Sequence, residues 1–160
     1  VQEFFSVNAY YRSGFSQPAD VITCCAMFYD LEYPDVFLQD IKQVLDDDGL
    51  FVVQLSYTPT MLMGLQFDNI LSEHVFYYSF FNLKNLLEKN GFKVLDCQLN
   101  SCNGGSFRVF AMKQKGNEKL FGDQAYRDIA QVRINSLLDI FDVGDLKFLY
   151  LIAKKNLKNL

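Results

Sequence analysis

The stretch 20-DVITCCAMFYDLEYPDVFLQDIKQVLDDDGLFVVQLSY-57 decides the fold. Its two ends are apolar runs, 20–28 and 50–57, rich in β-branched residues and bounded by turn formers. Each reads as a strand buried on both faces. Between them, 34–49 has a helical pattern. Pro34 suits a first helical turn, Phe37, Ile41, Val44 and Leu45 share one face, and Gly49 stands where a left-handed cap would close the helix. Strand, helix and strand at this spacing form a βαβ unit, so the two strands are expected to be parallel.

Working outward, 1-VQEFF-5 reads as the end of a further strand and 12-RSGFSQPAD-20 as a polar turn. Downstream, 58–79 is too long for an ordinary connection. It leaves from the C-terminal end of a parallel strand, the edge beyond which open α/β sheets bind ligands. Asn82 is read as the cap of a helix with Leu83, Leu86 and Leu87 on its apolar face, closed by 90-NG-91. Two strands follow, 92-FKVLDCQLN-100 and 106-SFRVFAMK-113, joined by 101-SCNGG-105 and therefore antiparallel. Helices are expected over 118–141 and 146–160.

Composition narrows the function. The chain has 160 residues, 50% of them hydrophobic and 16 of them Phe, enough for one packed domain. A net charge of −4 and a pI near 4.9 supply no basic footprint for nucleic acid. No apolar run reaches the roughly 18 residues of a membrane span. Cys24, Cys25, Cys97 and Cys102 form no C-x-x-C pair, which argues against a zinc or redox site in this chain. Adjacent Cys24 and Cys25 inside an apolar run read as buried free thiols, placing the chain in a reducing cytoplasm.

One histidine is present, His74, directly after Glu73 in the long excursion. It has two readings: a general base on the ligand side of the sheet, or a satisfied polar side chain. Asp30 and Glu32 beside a helix start read as solvated acids rather than a metal pair.

Three separated segments, 20-DVITCCAMFYDLEYPDVFLQDI-41, 66-QFDNILSEHVFYYS-79 and 103-NGGSFRVF-110, together resemble the S-adenosylmethionine-dependent sugar C-methyltransferases. That family includes the C-3-methyltransferases of deoxysugar biosynthesis, and the resemblance covers about residues 1 to 135. Its pattern runs FDNI-x-HEH, then aromatics, then NGGS-x-R after the next strand. Here Ser72 stands at the first histidine, and Leu71 stands where several members carry a tyrosine.

The resemblance implies an α/β fold: part of the Rossmann-like class I methyltransferase sheet, with parallel strands, an antiparallel last strand and C-terminal helices. Residues 1–115 would be the C-terminal part of the catalytic domain, and 116–160 a helical segment leading to a further C-terminal domain. A zinc-binding module and the glycine-rich cofactor loop would precede Val1, so the isolated chain is expected to be inactive.

The implied reaction is base-assisted methyl transfer to the carbon alpha to a ketone of a nucleotide-linked keto-deoxysugar. His74 would be the base and Glu73 its neighbour. Glu3, Phe5, Ala26 and Met27 would meet S-adenosylmethionine, with Phe4 and Phe28 read rather as core. Tyr77, Tyr78 and Asn103 would meet the sugar nucleotide. Asn103 has a second reading, since Asn-Gly-Gly is also what a tight turn requires. Arg108 reads as a diphosphate contact or a paired strand residue. Two rivals stand beside the enzyme: a degenerate, non-catalytic methyltransferase-like binding domain, and a nucleotide-binding oxidoreductase, whose motifs the FDNI and NGGS segments do not match.

Overall fold

The computed structural model describes residues 3–114 and the backbone of Tyr150–Ala153. Five strands form one sheet in the order β3-β4-β2-β1-β5. They are β1 (Ala19–Cys25), β2 (Leu45–Ser56), β3 (Phe92–Asn100), β4 (Ser106–Lys113) and β5 (Tyr150–Ala153). The helices are α1 (Val7–Arg12), α2 (Pro34–Val44), α3 (Thr58–Met63) and α4 (Phe80–Lys89). The βαβ reading holds: β1 and β2 are parallel, with Ile22 opposite Phe51 and Cys24 opposite Val53. The hairpin reading holds as well, β3 and β4 being antiparallel. β4 inserts between β3 and β2 and runs antiparallel to both.

The main core lies on one face of this sheet. Ile22, Cys24, Phe51, Val53, Leu55, Phe107 and Val109 meet Phe37, Leu38, Ile41 and Val44 of α2 and Leu83 and Leu87 of α4 there. All seven β1 residues are buried, as a strand covered on both faces requires. Each fully buried aliphatic side chain contributes about 1.5–3 kcal/mol. Leu38, Ile41 and Val44 of α2 are each 0% exposed, and truncating any of them opens this layer.

Several boundaries differ from the sequence reading. Residues 3–5 are not strand: Ser6 caps α1, its side chain accepting from Ala9 N, and turns the chain into a helix. Helix α2 stops at Val44, and Leu45 already pairs with Ala19. Three aspartates at a helix C-terminus oppose its dipole, and the Asp46 carboxylate instead accepts from Asp48 N at 3.0 Å. Gly49 is therefore not a left-handed cap. A Cβ there would stand 2.7 Å from Leu45 Cδ1 and 2.9 Å from Asp46 O, so glycine answers a close approach in the bulge. Ser79, not Asn82, caps α4, and Gly91 closes that helix at φ +80 as expected. Tyr150–Ala153 pair antiparallel with β1, so the helix expected over 146–160 gives way to a strand at these four residues. The expected helix over 118–141 lies outside the described residues.

Candidate active site

The excursion 57–79 builds a cleft beyond the C-terminal ends of β1 and β2. It is lined by Tyr29, Ser56, Thr58, Met61, Asn69, His74, Phe76, Tyr77 and Tyr78. Two anchors hold it. Thr58 binds the Tyr78 carbonyl through both its N–H and its hydroxyl, at 3.2 and 2.9 Å, which ties the two ends of the excursion together. The Tyr29 carbonyl accepts from Val75 N at 2.9 Å and from Phe76 N at 3.0 Å, which fixes the His74 segment to the tip of β1. The enclosed space is about 10 Å³, room for about one water molecule.

His74 is half-buried at the mouth of this cleft. Its ring lies 4.2 Å from the Tyr29 ring, centroid to centroid. Its Nδ1 lies 3.0 Å from the Asn69 carbonyl oxygen. A carbonyl can only accept, so Nδ1 carries the hydrogen, and in the neutral ring the lone pair is on Nε2. The same carbonyl accepts from the Tyr77 hydroxyl at 3.4 Å.

Carboxylates gather around this ring. Burial raises the Asp30 carboxyl above its ordinary value, the His74 imidazole draws it down, and the Glu73 carboxylate pushes it up again. Burial also raises the Tyr29 hydroxyl, followed by the charges of Asp30, Glu73 and Cys24. Asp30 is thus an electrostatic neighbour of His74, while remaining solvent-exposed as a solvated acid would be. Sequence reasoning missed it because the two residues are 44 positions apart in the chain. Glu73 is exposed and acts here through its charge, while the ring's hydrogen bond goes to Asn69.

The other expected residues divide. Tyr77 is 40% exposed at the cleft. Tyr78 lines it too but is 6% exposed and packs on Phe28, and burial, then the Asp35 charge, pushes its hydroxyl up to about 12. Asn103 is exposed and is not among the cleft-lining residues. Its φ of 49 and ψ of 42 are left-handed, the conformation its turn needs. Arg108 donates through Nε and Nη2 to Gln54 Oε1 at 2.9 and 2.7 Å, the paired reading of that residue.

At the tip of β1, Ala26 adopts φ 53 and donates its N–H to the Gln54 carbonyl at 2.9 Å. A left-handed alanine is strained, and such strain collects where a strand end meets a ligand. Met27 is half-buried, its sulfur 3.0 Å from Cys24 Sγ. Phe5 packs edge-on against Phe37 at 5.4 Å, and Phe28 meets the same ring at 5.9 Å, so the N-terminal segment lies beside the β1 exit. Phe4 is 97% exposed rather than core, and Phe28 is fully buried. Glu3 is held by Arg12. Phe5, Ala26 and Met27 are partly buried and pack against the main core. Glu3 fits an amine contact only by sharing its carboxylate with Arg12. Among the described residues no group of three or more His, Cys, Asp or Glu could hold a metal, and no helix is long and apolar enough to cross a membrane.

A parallel pair extended by an antiparallel hairpin, with a cleft at the parallel strand ends, defines a methyltransferase-type α/β sheet. Residues 2–96 match the family described as a methyltransferase domain, and the chain belongs to that family. Over 80 residues it is 39% identical to the C-methyltransferase NovU of Streptomyces niveus, a match covering 49% of this chain and 19% of that protein. The chain thus spans about a fifth of this relative's length. Among solved structures, LepI in complex with SAM shares the fold at a TM-score of 0.51 and 13% identity, over 61% of this chain and 27% of that one. A chain of the Haloferax volcanii complex between the Trm112 methyltransferase activator and a methyltransferase does so at 0.51 and 11%, over 62% and 57%.

Proposed function

We propose that the chain carries the acceptor side of an S-adenosylmethionine-dependent C-methyltransferase acting on a nucleotide-linked keto-deoxysugar. The observation that carries this reading is the state of His74: Nδ1 is committed to the Asn69 carbonyl, which leaves Nε2 as a base at the ligand edge of the sheet. Family membership and the likeness to NovU support methyl transfer to carbon.

Carbon is methylated only as a nucleophile. The proton on the carbon alpha to a ketone is the one a side chain can remove. His74 Nε2 takes it, and the electron pair left behind delocalises onto the ketone oxygen. S-adenosylmethionine, when bound, supplies an electrophilic methyl group. An imidazole acts at neutral pH because its ordinary pKa lies close to it. Asp30 and Glu73 place negative charge near the imidazolium that forms. Leu71 cannot donate to the developing oxyanion. The Tyr77 hydroxyl, exposed at the cleft, is the donor at hand, and it would exchange its bond to Asn69 for one to the substrate. Ala26, Met27 and Phe5 would seat the adenosyl face, with Glu3 at its rim.

A second reading, a non-catalytic methyltransferase-like binding domain, is favoured by one observation. The cleft, at about 10 Å³, admits a sugar only if the excursion moves. Calorimetric titration of S-adenosylhomocysteine into the complete reading frame, with NAD as control, separates the two. Selective binding followed by methyl transfer to a keto-sugar nucleotide is expected. A folded protein that binds neither ligand would leave the non-catalytic reading.

A further inference from the structure

The FDNI and NGG segments lie 34 residues apart, Asn69 to Asn103, yet one side chain joins them. Gln66 Nε2 donates to the Gly104 carbonyl at 2.7 Å, and Gln66 Oε1 accepts from Asn69 Nδ2 at 3.0 Å. Asn69 then offers its own carbonyl to His74 Nδ1. The amide of Gln66 therefore spends both its functions on a line that runs from the NGG turn to the imidazole. Both glycines of the turn are closely approached, Gly104 by the line itself. A Cβ at Gly104 would stand 2.7 Å from Gln66 Nε2, and one at Gly105 would stand 2.5 Å from Thr60 Cγ2.

We propose that Gln66 is a positioning residue: by locking Asn69 against the NGG turn, it holds the carbonyl that keeps the His74 hydrogen on Nδ1. The inference rests on the reading of His74 as the base, and it assigns NGG a mechanical part in the same site. An unconstrained imidazole can carry its hydrogen on either nitrogen. With the hydrogen on Nε2 the ring presents a donor to the substrate and takes no proton from it. Gln66 thus acts on the population of the competent base and touches neither the substrate nor the cofactor. The Asn69 carbonyl shares its peptide unit with Ile70 N, which donates to the Phe67 carbonyl at 3.0 Å, so the backbone turn aims the carbonyl and Gln66 ties that turn to NGG. The Tyr77 hydroxyl at 3.4 Å is a weak donor to it.

The test is imidazole nitrogen spectroscopy of the complete protein without ligands, with the His74 signals assigned by comparison with His74→Gln. Wild type is expected to show the Nδ1–H form. Gln66→Leu and Asn69→Ala, which sever the line at two points, are expected to move the ring toward the Nε2–H form. Under the proposed activity both should lower kcat between about tenfold and a hundredfold at unchanged KM. An Nε2–H ring in the wild type overturns the inference, as does an unchanged ring in both folded variants. Loss of amide dispersion in both variants would assign Gln66 a folding role and overturn it too. The spectra need no turnover. The expected tautomer shift in a protein without methyl transfer would therefore refute the functional reading and leave the linkage standing.

Discussion

Tyr29 and His74 stand ring against ring at 4.2 Å, and the Tyr29 carbonyl receives the two N–H groups that follow the histidine. One residue thus supports His74 by its side chain and its backbone together. Tyr29→Phe keeps both supports and is expected to leave melting temperature and turnover near wild type. Tyr29→Ala keeps only the backbone bonds. Truncating an aromatic that is 9% exposed costs about 3–5 kcal/mol by analogy with Phe→Ala changes, and the imidazole loses its wall. Chemical denaturation of the two variants checks the order, and equal stabilities would refute it.

His74→Ala in the complete protein is expected to keep S-adenosylhomocysteine binding and to lower turnover by about a hundredfold or more, the ordinary worth of a general base. Calorimetry and a methyl-transfer assay on the same preparation read the two halves. Turnover at the wild-type rate would remove His74 from the mechanism.

Asp30 sets a pH dependence whose sign follows from its raised pKa. Burial is the main cause, followed by the opposing charges of His74 and Glu73. An acid that is harder to ionise folded than unfolded favours the fold while protonated. That contribution is complete below the unfolded value of about 3.9 and is lost as pH rises through the higher folded value. Asp30→Asn stays neutral throughout. Its melting temperature relative to wild type is therefore expected to rise between pH 4 and pH 7. A constant difference across that range would show that Asp30 is not perturbed in the folded protein.

Asn103 separates turn chemistry from substrate contact. It sits at φ 49 in the turn before β4, with its side chain exposed. Asn103→Gly preserves the left-handed conformation and removes the amide, so stability is expected to stay within about 0.5 kcal/mol and turnover within about twofold. Gly105→Ala, at φ +132 and against Thr60, is expected to destabilise clearly. A large loss of turnover in Asn103→Gly at wild-type stability would restore the substrate role for this side chain.

How far the sequence reads depends on what decided each element. The parallel pair and the hairpin were legible because burial writes a continuous apolar run, and short turns dictate antiparallel return. The end of α2 was not. Ile41 and Val44 continue smoothly into Leu45, and only the pairing of Leu45 with Ala19 shows that the strand has begun. The start of α1 was hidden by the aromatics of VQEFF, while the capping hydroxyl of Ser6 decided it. In the site, His74 and its loop were visible as a long excursion after a parallel strand. Asp30 and Gln66 were not, because their partners are distant in sequence and ordinary in type. Glu73 attracted notice by adjacency, yet it sits inside the turn closed by His74 N on the Leu71 carbonyl, and the ring hydrogen-bonds Asn69 instead.

The cysteines give a test of the core that needs no substrate. Cys24 and Cys25 are 0% and 3% exposed on β1, whereas Cys97 and Cys102 are partly exposed. Burial raises the Cys24 thiol well above its ordinary value, with the charges of Cys25 and Asp30 adding to it. Burial raises Cys25 as well, partly offset by Arg108, and Cys97 with some help from Asp96. Thiolate is the reacting form, so access and ionisation point the same way. At pH 8 in native buffer, iodoacetamide is expected to modify Cys97 and Cys102 first, leaving Cys24 and Cys25 intact until the protein is unfolded. Peptide mass spectrometry over a time course reads the order directly. Early labelling of Cys24 would mean that β1 is not covered on both faces.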